Sequence, residues 1–375
     1  MPSCSTAPTS NCSHSEFPNL QEFAHDYDIV HIPLSLVICV FGVFGNIANV
    51  IVLSQPGMRS STNLLMSALS IGEGSVMAVH ALYVCMFRID PKLERGMSKP
   101  AAYTLYIIVY AQSLFHVFSS WMIVFLTVFR LVFMRAGVAA LHICNYRRAK
   151  IIIITDVIMS LIVASPFLFA HHVDKVCVNS EDRSPSYKLD FVPNEALKTL
   201  LLISSGVFMK ALPIVFSTIF TALLIRTLLH SQKRHDRLQN EKSEAEQRVL
   251  ASQAESSNKN TFTALAENSG NKSPKRHFNP DSSSRNIHQT TNILIALTVL
   301  YIVTYLPQAI MLLLLNIYDA CFEANVYEKL GDFMDLMTLI CNCGNFVLYC
   351  ALSSKFRETF VQLFCSLLRF RKCSR

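Results

Sequence analysis

The sequence predicts an all-α membrane protein, a bundle of seven transmembrane helices followed by a short amphipathic helix. Three observations carry this prediction. Hydrophobic residues make up 51% of the 375 residues and the mean hydropathy is +0.36, which is too apolar for two or three soluble domains. Seven apolar stretches are long enough to cross a bilayer core about 30 Å thick. Lys and Arg collect in alternate loops, as expected of cytoplasmic loops.

The seven stretches recur along most of the chain, and their odd number places the two termini on opposite sides of the membrane. The first stretch begins too far from Met1, and lacks the basic start, to be a cleaved signal peptide. The predicted spans are Ile29–Leu53, Leu64–Phe87, Ala101–Met134, Ala149–Phe169, Thr199–Leu229, Ile293–Asn316 and Gly331–Leu352.

Positive charge predicts the orientation of the bundle. The loops and tail on one side hold 23 Lys and Arg, those on the other side hold nine, and Lys210 lies inside a span. The basic side is expected to face the cytoplasm, so we predict a multi-pass plasma-membrane protein with its N-terminus outside. The net charge of +7 therefore reports topology. No basic face interleaved with aromatic residues suggests nucleic-acid binding.

The composition divides the chain into three parts. Residues 1–28 form an acidic, Ser- and Pro-rich tail that is expected to be extracellular and disordered, with a glycosylation acceptor at Asn11. Residues 29–352 form the transmembrane domain, and its polar segment 230–285 is predicted to be a disordered cytoplasmic loop. Residues 353–375 are predicted to form an amphipathic cytoplasmic helix and tail.

The first two spans carry polar residues that need partners in a membrane. Gly45 and Asn46 would allow close helix approach and a hydrogen bond between helices, or would be a small-residue packing spot with an incidental amide. Glu73 lies within the second span, where a carboxylate costs about 2.5–3.5 kcal/mol. We expect a functional role for Glu73, with Asn46, Ser119 and Asn345 as its partners.

The third span carries Gln112 and His116 in its outer half and Arg130 at its cytoplasmic end. His116 is either a ligand contact or an ordinary buried histidine. Arg130 is either a functional residue or an anchor that reaches the membrane surface. In the fourth span, the sequence does not indicate a role for Asp156.

The fifth and sixth spans each contain a proline. Lys210 precedes Pro213 by three residues, and an ammonium group inside the bilayer needs a partner or a water-filled cavity. Pro307 interrupts the sixth span, where an interior proline kinks a helix and so provides a lever. Its alternative, a mere packing irregularity, is the weaker interpretation.

The seventh span is acidic at its start and polar in its interior. Asp332 and Asp335 are three residues apart and share a helix face. Asn342 and Asn345 are costly in hydrocarbon unless they pack against other helices. Tyr349 follows near the basic end of the span.

These residues resemble a known family. Asn345-Phe-Val-Leu-Tyr349 resembles the Asn-Pro-x-x-Tyr motif of rhodopsin-like G-protein-coupled receptors, with Phe346 in place of proline. His116-x-x-Ser-Ser-Trp121 and the Leu-Gly-Asp-x-Met-Asp opening of the seventh span are similar to the invertebrate FMRFamide and myosuppressin receptors. The nematode serpentine receptors of class w are close relatives of that group.

The resemblance implies a receptor for an extracellular neuropeptide that ends in Arg-Phe-amide. A guanidinium pairs best with a carboxylate, so Asp335, expected to be deeper and shielded from water, is the predicted anchor, with Asp332 nearer the rim. The alternatives are that both acids only stabilise a helix N-terminus, and that the chain is an orphan chemosensory receptor. The predicted ligand-binding residues are Asp335, Asp332, Gln112, His116, Tyr305, Gln308 and Lys210.

The resemblance also implies partners on the cytoplasmic side, a heterotrimeric G protein and arrestin, with the lipid bilayer around the bundle. Glu73 stands where the family has an aspartate that binds sodium or a proton, and no other cofactor is expected. Phe129 replaces the acid that usually precedes Arg130, which implies a weaker resting clamp and measurable basal activity. The predicted activation residues are Arg130, Glu73, Asn46, Pro307, Asn345 and Tyr349.

The resemblance bears on the cysteines as well. Rhodopsin-like receptors bond a cysteine at the top of helix three to the second outer loop, but Leu105 stands at that position. Cys177 is then left to pair with Cys85 or Cys321, or to stay unpaired. Cys365 or Cys373 in the tail is a candidate for palmitoylation.

Two other function classes fit the sequence less well. A transporter would more often show internal repeats and paired discontinuous helices. A membrane enzyme would show clustered metal ligands or a nucleophile with its base, whereas the histidines of the spans are isolated in sequence and no Gly-rich phosphate loop occurs. We therefore expect a receptor without enzymatic activity.

Overall fold

The computed structural model describes residues 18–89, 97–176, 186–257, 280–315, 322 and 326–373. Within these residues, seven helices are long and apolar enough to cross a membrane. All seven predicted spans are confirmed. The main helices of the seven spans are Pro18–Leu53, Ser61–Tyr83, Lys99–Arg135, Tyr146–Ala170, Leu212–Ser257, Pro280–Leu315 and Glu328–Leu352.

Shorter elements connect the spans. The single-turn helices Pro56–Met58, Gly137–Ala139 and Ala140–Ile143 lie between spans at one end of the bundle. The π-helical segment Val84–Arg88 ends the second span. The helix Glu195–Ile203 and a second π-helical segment, Ser204–Ala211, open the fifth span.

The bundle also carries a small β-hairpin, which the all-α prediction did not include. Strand β1 (His171–Val176) pairs antiparallel with β2 (Ser186–Phe191), with His171 opposite Phe191. Tyr187 of β2 exchanges two backbone hydrogen bonds with Met97, just before the third span. The loop is polar in composition, and its strand pairing depends on backbone hydrogen bonds that composition does not predict.

The fifth span contains a local distortion whose cause is Pro213. In the π-helical segment before it, the carbonyl of Phe208 would accept from the backbone nitrogen five residues on, which is Pro213 and has no N–H. The indole Nε1 of Trp121 donates to this carbonyl instead, at 2.9 Å. The predicted bend therefore takes the form of a wide turn that is bound to the third span.

The first helix begins at Pro18 and not at Ile29, so part of the tail predicted to be disordered is helical. Tertiary contacts at its start explain the difference. The Tyr27 ring packs edge-on against Phe333 of the seventh span at 6.0 Å, and Asp28 is hydrogen-bonded to Arg88.

The segment 230–285 was likewise predicted to be disordered, and this is wrong for its two ends. The fifth span continues as one helix to Ser257, and the sixth helix begins at Pro280. Residues 258–279 lie outside the described part. Residues 230–257 continue the backbone hydrogen-bond ladder of the fifth span, because adding a turn to an existing helix needs no new nucleus.

After the seventh span, a helix runs from Ser354 to Cys373. Phe356 of this helix is fully buried and stacks on Tyr349 with ring centroids 5.2 Å apart. The start of the tail helix is thus part of the hydrophobic core. Its predicted place at the membrane interface stays a prediction.

The sequence predicts a close approach of two helices at Gly45, and the structure shows it. A Cβ atom built on Gly45 would lie 2.9 Å from the Cβ of Phe346 in the seventh span. That separation is too short for two carbon atoms, so the first and seventh spans approach each other only because position 45 has no side chain. Phe346, which stands at the family's proline position, fills the space that Gly45 leaves.

We expect Gly45→Ala to lower the thermal unfolding midpoint of the detergent-solubilised protein. Overpacking costs about 1–3 kcal/mol, which exceeds the about 0.5–1 kcal/mol that alanine gains over glycine within a helix. Gly331→Ala is the matched control, because a Cβ there meets nothing within 4 Å, and its midpoint should hold or rise. A Gly45→Ala midpoint that matches this control would contradict the close approach.

Candidate functional site

The polar residues of the spans fall into three groups along the bundle. We call the end that carries β1 and β2 the hairpin end, and the opposite end, where Arg130 lies, the Arg130 end. Gln112 and Arg130 are 18 residues apart on the third helix, so about 27 Å separates their levels. Glu73 lies between these two groups.

Near the hairpin end, side chains of the third and sixth spans form a polar contact line. The amide Nε2 of Gln112 lies 3.4 Å from His116 Nε2. His116 Nδ1 lies 3.5 Å from the hydroxyl of Tyr305, which is itself buried in the core. The structure therefore brings together three of the predicted ligand residues, and His116 is a bridging residue and not an isolated buried one.

Lys210 and Asp335 lie in the same region but form no hydrogen bond or ion pair with another described residue. Asp335 shares a helix face with Asn342, seven residues on and 2% exposed, so it points to the bundle interior. Its side chain is nevertheless exposed, and Lys210 is partly exposed. The prediction that Asp335 is shielded from water is wrong, because the interior is open at this level.

Asp332 is already paired, which changes its predicted role. The guanidinium Nη2 of Arg88 donates to Asp332 Oδ2 at 2.8 Å and also to Asp28. His31 Nε2 lies 3.9 Å from the other oxygen of Asp332, whose side chain is 34% exposed. Asp332 thus joins the first, second and seventh spans. It was predicted to contact a ligand at the rim, but it binds the guanidinium of Arg88 instead.

Gln308 also has a structural partner. Its Nε2 donates to the Met334 carbonyl and to the Thr338 hydroxyl, each at 2.6 Å. Gln308 is buried and ties the sixth span to the seventh one turn beyond Asp335. The side-chain amide is therefore committed to helix packing, in contrast to the ligand contact predicted for it.

Glu73 is buried at 2% exposure in the middle group. Asn345 Nδ2 donates to its Oε2, which places one of the three predicted partners. Asn46 instead donates to the carbonyls of Gly42 and Asn342, each at 3.0 Å. Ser119 lies beside the second span, since a Cβ built on Gly72 would be 2.6 Å from its hydroxyl.

At the Arg130 end, the third and sixth spans are linked through Arg130. Its Nε donates to the Thr291 hydroxyl at 2.9 Å, and its guanidinium lies 5.1 Å from the ring centre of Phe133. The side chain is 4% exposed. Arg130 is therefore more than a boundary anchor, because it is buried and bonded to another helix.

A cavity of about 430 Å³ opens beside Arg130. Tyr349 lines it and is held by its stack on Phe356. Cys144 also lines the cavity, and its thiol contacts the Phe129 carbonyl at 3.7 Å. Burial raises the pKa of the Cys144 thiol more than the neighbouring Arg148 and Arg130 lower it, so the thiol stays neutral.

Pro307 lies within the sixth helix, between the two ends. On its Arg130 side, the Tyr305 ring packs on Tyr301 at 4.5 Å between centroids. On its hairpin side, Gln308 is bonded to the seventh span. Gln308, directly after the proline, is thus hydrogen-bonded to the seventh span, whereas Thr291, near the other end of the same helix, is hydrogen-bonded to Arg130.

Sequence reasoning missed two residues of this arrangement. Arg88 was counted only as a loop charge, although a basic residue directly after a span is a candidate partner for acids at the same end. Thr291 carried no signal, because a threonine near the start of an apolar stretch is common.

Asp156 is fully buried, and neither carboxyl oxygen has a hydrogen-bond partner among the described residues.

Several predicted sites lie at or beyond the edges of the described part. Asn11, Cys177 and Cys321 are outside it, and Cys85 is a free, exposed cysteine. Cys365 and Cys373 lie on the tail helix. The glycosylation, disulfide and palmitoylation assignments stay predictions.

Seven spanning helices, a water-accessible charged group at one end and a buried arginine beside a cavity at the other define a membrane receptor of the seven-helix class. The chain belongs to the family described as Serpentine type 7TM GPCR chemoreceptor Srw, which matches residues 33–254 and 266–366. It is therefore a multi-pass G-protein-coupled receptor, and this class comprises receptors and not enzymes.

Curated relatives include receptors for peptides. The chain is 24% identical to the G-protein coupled receptor dmsr-1 of Caenorhabditis elegans, across 95% of this chain and 72% of the relative. It is 26% identical to the thyrotropin-releasing hormone receptor of Gallus gallus, across 94% and 83%. Identity to sex peptide receptor-related protein 2 of Caenorhabditis elegans is 21%, across 95% and 76%.

Proposed function

We propose that this protein is a plasma-membrane receptor for an extracellular peptide of the Arg-Phe-amide class, which it reports to a heterotrimeric G protein. In this proposal the hairpin end and the N-terminus face the outside of the cell. The Arg130 end faces the cytoplasm, as the distribution of Lys and Arg favours.

The observation that carries the proposal is the state of the two acids of the seventh span. Asp332 is neutralised by Arg88, whereas Asp335 is exposed toward the open interior and has no partner among the described residues. An unpaired carboxylate in a span needs a cation, and a guanidinium binds a carboxylate through two parallel hydrogen bonds. One relative is named as a receptor for thyrotropin-releasing hormone and another as related to the sex peptide receptor, which supports a peptide as the source of that guanidinium.

The signalling half of the proposal rests on the Arg130 end. The cavity beside Arg130 is lined by Ile293 of the sixth span and Tyr349 of the seventh span, together with residues of the second and third spans. A ligand that binds one arrangement of the sixth and seventh spans more tightly shifts the population toward it. The G protein would then bind the receptor in which this cavity has changed shape. Arrestin is a further predicted partner at the same end.

The test is a screen of amidated peptides against the receptor expressed in cells, with nucleotide exchange on co-expressed G proteins as the readout. We expect peptides that end in Arg-Phe-amide to activate the receptor, and the same peptides with a citrulline in place of the arginine to fail. Citrulline keeps the shape of the side chain and removes its charge. Equal activation by both series would contradict the proposed recognition.

A chemosensory ligand is the second candidate, because the matched family is described as one of chemoreceptors. It shares the fold and the G-protein side of the proposal and differs only in the ligand. Activation by small volatile or water-soluble compounds, with no response to any amidated peptide in the same cells, would favour it.

We also propose that Glu73 holds a sodium ion or a proton. Ser119 and Asn46 pack against Gly72 and Gly74, the two neighbours of Glu73 in the second span. Their oxygen atoms, Ser119 Oγ and Asn46 Oδ1, have no hydrogen-bond partner in the described part. Oxygen atoms of this kind suit a hard cation, which would supply the positive charge that a buried carboxylate needs. Asn345 is already bonded to the same carboxylate.

Glu73→Gln should therefore abolish the dependence of peptide affinity on sodium. Glutamine keeps an oxygen that can accept from Asn345 but carries no charge to hold the ion, and an ion bound to one state only shifts the receptor's equilibrium. The measurement is peptide binding to membranes in sodium or in an impermeant organic cation at equal ionic strength. If parent and variant respond to sodium alike, the carboxylate is structural.

A further inference from the structure

Two opposite charges face the interior near the hairpin end, and both lack partners. Lys210 and Asp335 form no ion pair with any residue in the described ranges, yet each is near enough to act electrostatically on the other. Lys210 also acts on His116 of the third span. Gly206, one turn before Lys210, faces the sixth span, since a Cβ atom built on it would lie 3.8 Å from the Cβ of Leu312. Lys210 therefore lies on the side of the fifth span that faces the bundle interior, and not the lipid.

Two other basic residues at the hairpin end are paired with acids of the protein. Arg88 is paired with Asp28 and Asp332, and Lys188 is paired with Asp190 at 2.8 Å. Lys210 and Asp335 differ from these in lying deeper along their helices and in being unpaired. Because a charge within a span is costly, an arrangement that keeps both needs a compensating partner for each.

A neutral polar atom lies at the same level. Gln112 Oε1 is buried and has no hydrogen-bond partner among the described residues, while Gln112 Nε2 lies against His116. The open interior thus presents a cation, an anion and an acceptor. A ligand with a positive group alone would satisfy Asp335 and leave Lys210 without a counter-charge.

We propose that the receptor selects a ligand that carries a cationic and an anionic group next to each other. The cation binds Asp335, the anion binds Lys210, and an N–H of the ligand donates to Gln112. For a peptide, this means an arginine that neighbours either an acidic side chain or a free terminal carboxylate. The inference rests on the proposed peptide-receptor function and narrows its ligand to a dipolar class.

The competing arrangement is an internal one. If Lys210 and Asp335 turn toward each other and pair when the ligand is bound elsewhere, both charges would matter but the ligand would need no anion. The two arrangements differ in a single measurable way. Only the dipolar ligand makes the effect of Lys210 depend on the acid of the peptide.

The experiment uses three synthetic peptides that share an Arg-Phe end. The first is amidated with a glutamine beside the arginine, the second is amidated with a glutamate at that place, and the third has the glutamine and a free carboxylate terminus. Each is tested on the parent, Lys210→Gln, Lys210→Arg and the hairpin control Lys188→Gln. The readouts are competition binding, nucleotide exchange and surface expression.

On the parent we expect one of the two acidic peptides to bind at least about 30-fold more tightly than the neutral one, as for a buried charge pair. The acidic peptide that binds more tightly shows whether a side chain or the terminal carboxylate supplies the anion. Lys210→Gln should abolish this advantage, while Lys210→Arg and Lys188→Gln should retain it. If Lys210→Gln is poorly expressed, the comparison of Lys210→Arg with Lys210→Met at matched surface levels decides the same point.

Three outcomes would overturn the inference, and they are distinguishable. Equal binding of the three peptides to the parent removes the anion subsite and leaves the peptide-receptor function standing. An equal loss for all three peptides in Lys210→Gln assigns Lys210 to the internal pair with Asp335. Failure of every peptide on a well-expressed parent overturns the proposed function together with the inference.

Discussion

Arg130→Ala is expected to reduce agonist-driven nucleotide exchange to the basal level while surface expression stays near that of the parent. Arg130 is buried beside the 430 Å³ cavity, donates to Thr291 at 2.9 Å and lies over the Phe133 ring. In the proposed mechanism, the loss of its guanidinium removes both the contact with the sixth span and a charged group that the G protein meets. The measurement is nucleotide exchange on G protein in membranes that contain equal amounts of receptor.

Arg135→Ala is the matched control, because Arg135 lies on the same helix, is exposed and donates to Thr227 at 3.3 Å. It should retain most of the signal. Intact signalling from Arg130→Ala would reduce Arg130 to a packing residue.

The contact between Arg130 and Thr291 also predicts the basal activity. Phe129 offers no acid to hold the guanidinium, and the hydroxyl of Thr291 is a neutral partner, so this hydrogen bond is weaker than one to a carboxylate would be. Thr291→Val keeps the volume of the side chain and removes the acceptor. It should raise nucleotide exchange without ligand, and an unchanged basal rate would show that the hydrogen bond does not hold the resting state.

Asp335→Asn is expected to weaken peptide binding by at least about 30-fold, the lower end of the effect of removing one partner from a buried charge pair. The unbound carboxylate is exposed, but a bound peptide would exclude water from it. Competition binding on membranes measures the effect. The charge-reversal test pairs Asp335→Arg with a peptide whose terminal arginine is glutamate, and partial recovery of binding would locate the contact.

Asp332→Asn is the matched comparison, and the structure changes what we expect of it. Because Asp332 is bonded to Arg88, its removal leaves Arg88 with Asp28 and loosens the tie between the first, second and seventh spans. The thermal midpoint should fall more than peptide affinity does. Equal potency of the native peptide on the parent and on Asp335→Asn would exclude Asp335 as the anchor.

The membrane-spanning architecture could be predicted because each helix satisfies its own backbone hydrogen bonds in lipid. The length and hydropathy of a stretch then suffice to locate a span, and all seven were located. Hydropathy also identified Glu73, Arg130 and Lys210 as candidate functional residues, because a charge inside a span is costly whichever helices the span packs against. Gly45 was likewise recognisable, because a missing side chain permits a close approach to any neighbour.

Partners between spans could not be predicted in the same way, because they depend on how each helix is rotated and on its depth. The sequence predicts that Asp335 lies deeper than Asp332, but it does not indicate that Arg88 neutralises Asp332 or that Asp335 faces the open interior. Gln308 read as a ligand contact and is bonded to the seventh span.

The sequence by itself determined the seven-helix class, the positions of the spans and the set of intramembrane charges, since these follow from local hydropathy and from the cost of charge in lipid. Tertiary structure alone decided which of those charges pair with each other and which stay open. The reason is that pairing brings together side chains that are far apart in the sequence. Arg88 and Asp332, for example, lie 244 residues apart and meet at 2.8 Å. No local pattern encodes such a meeting.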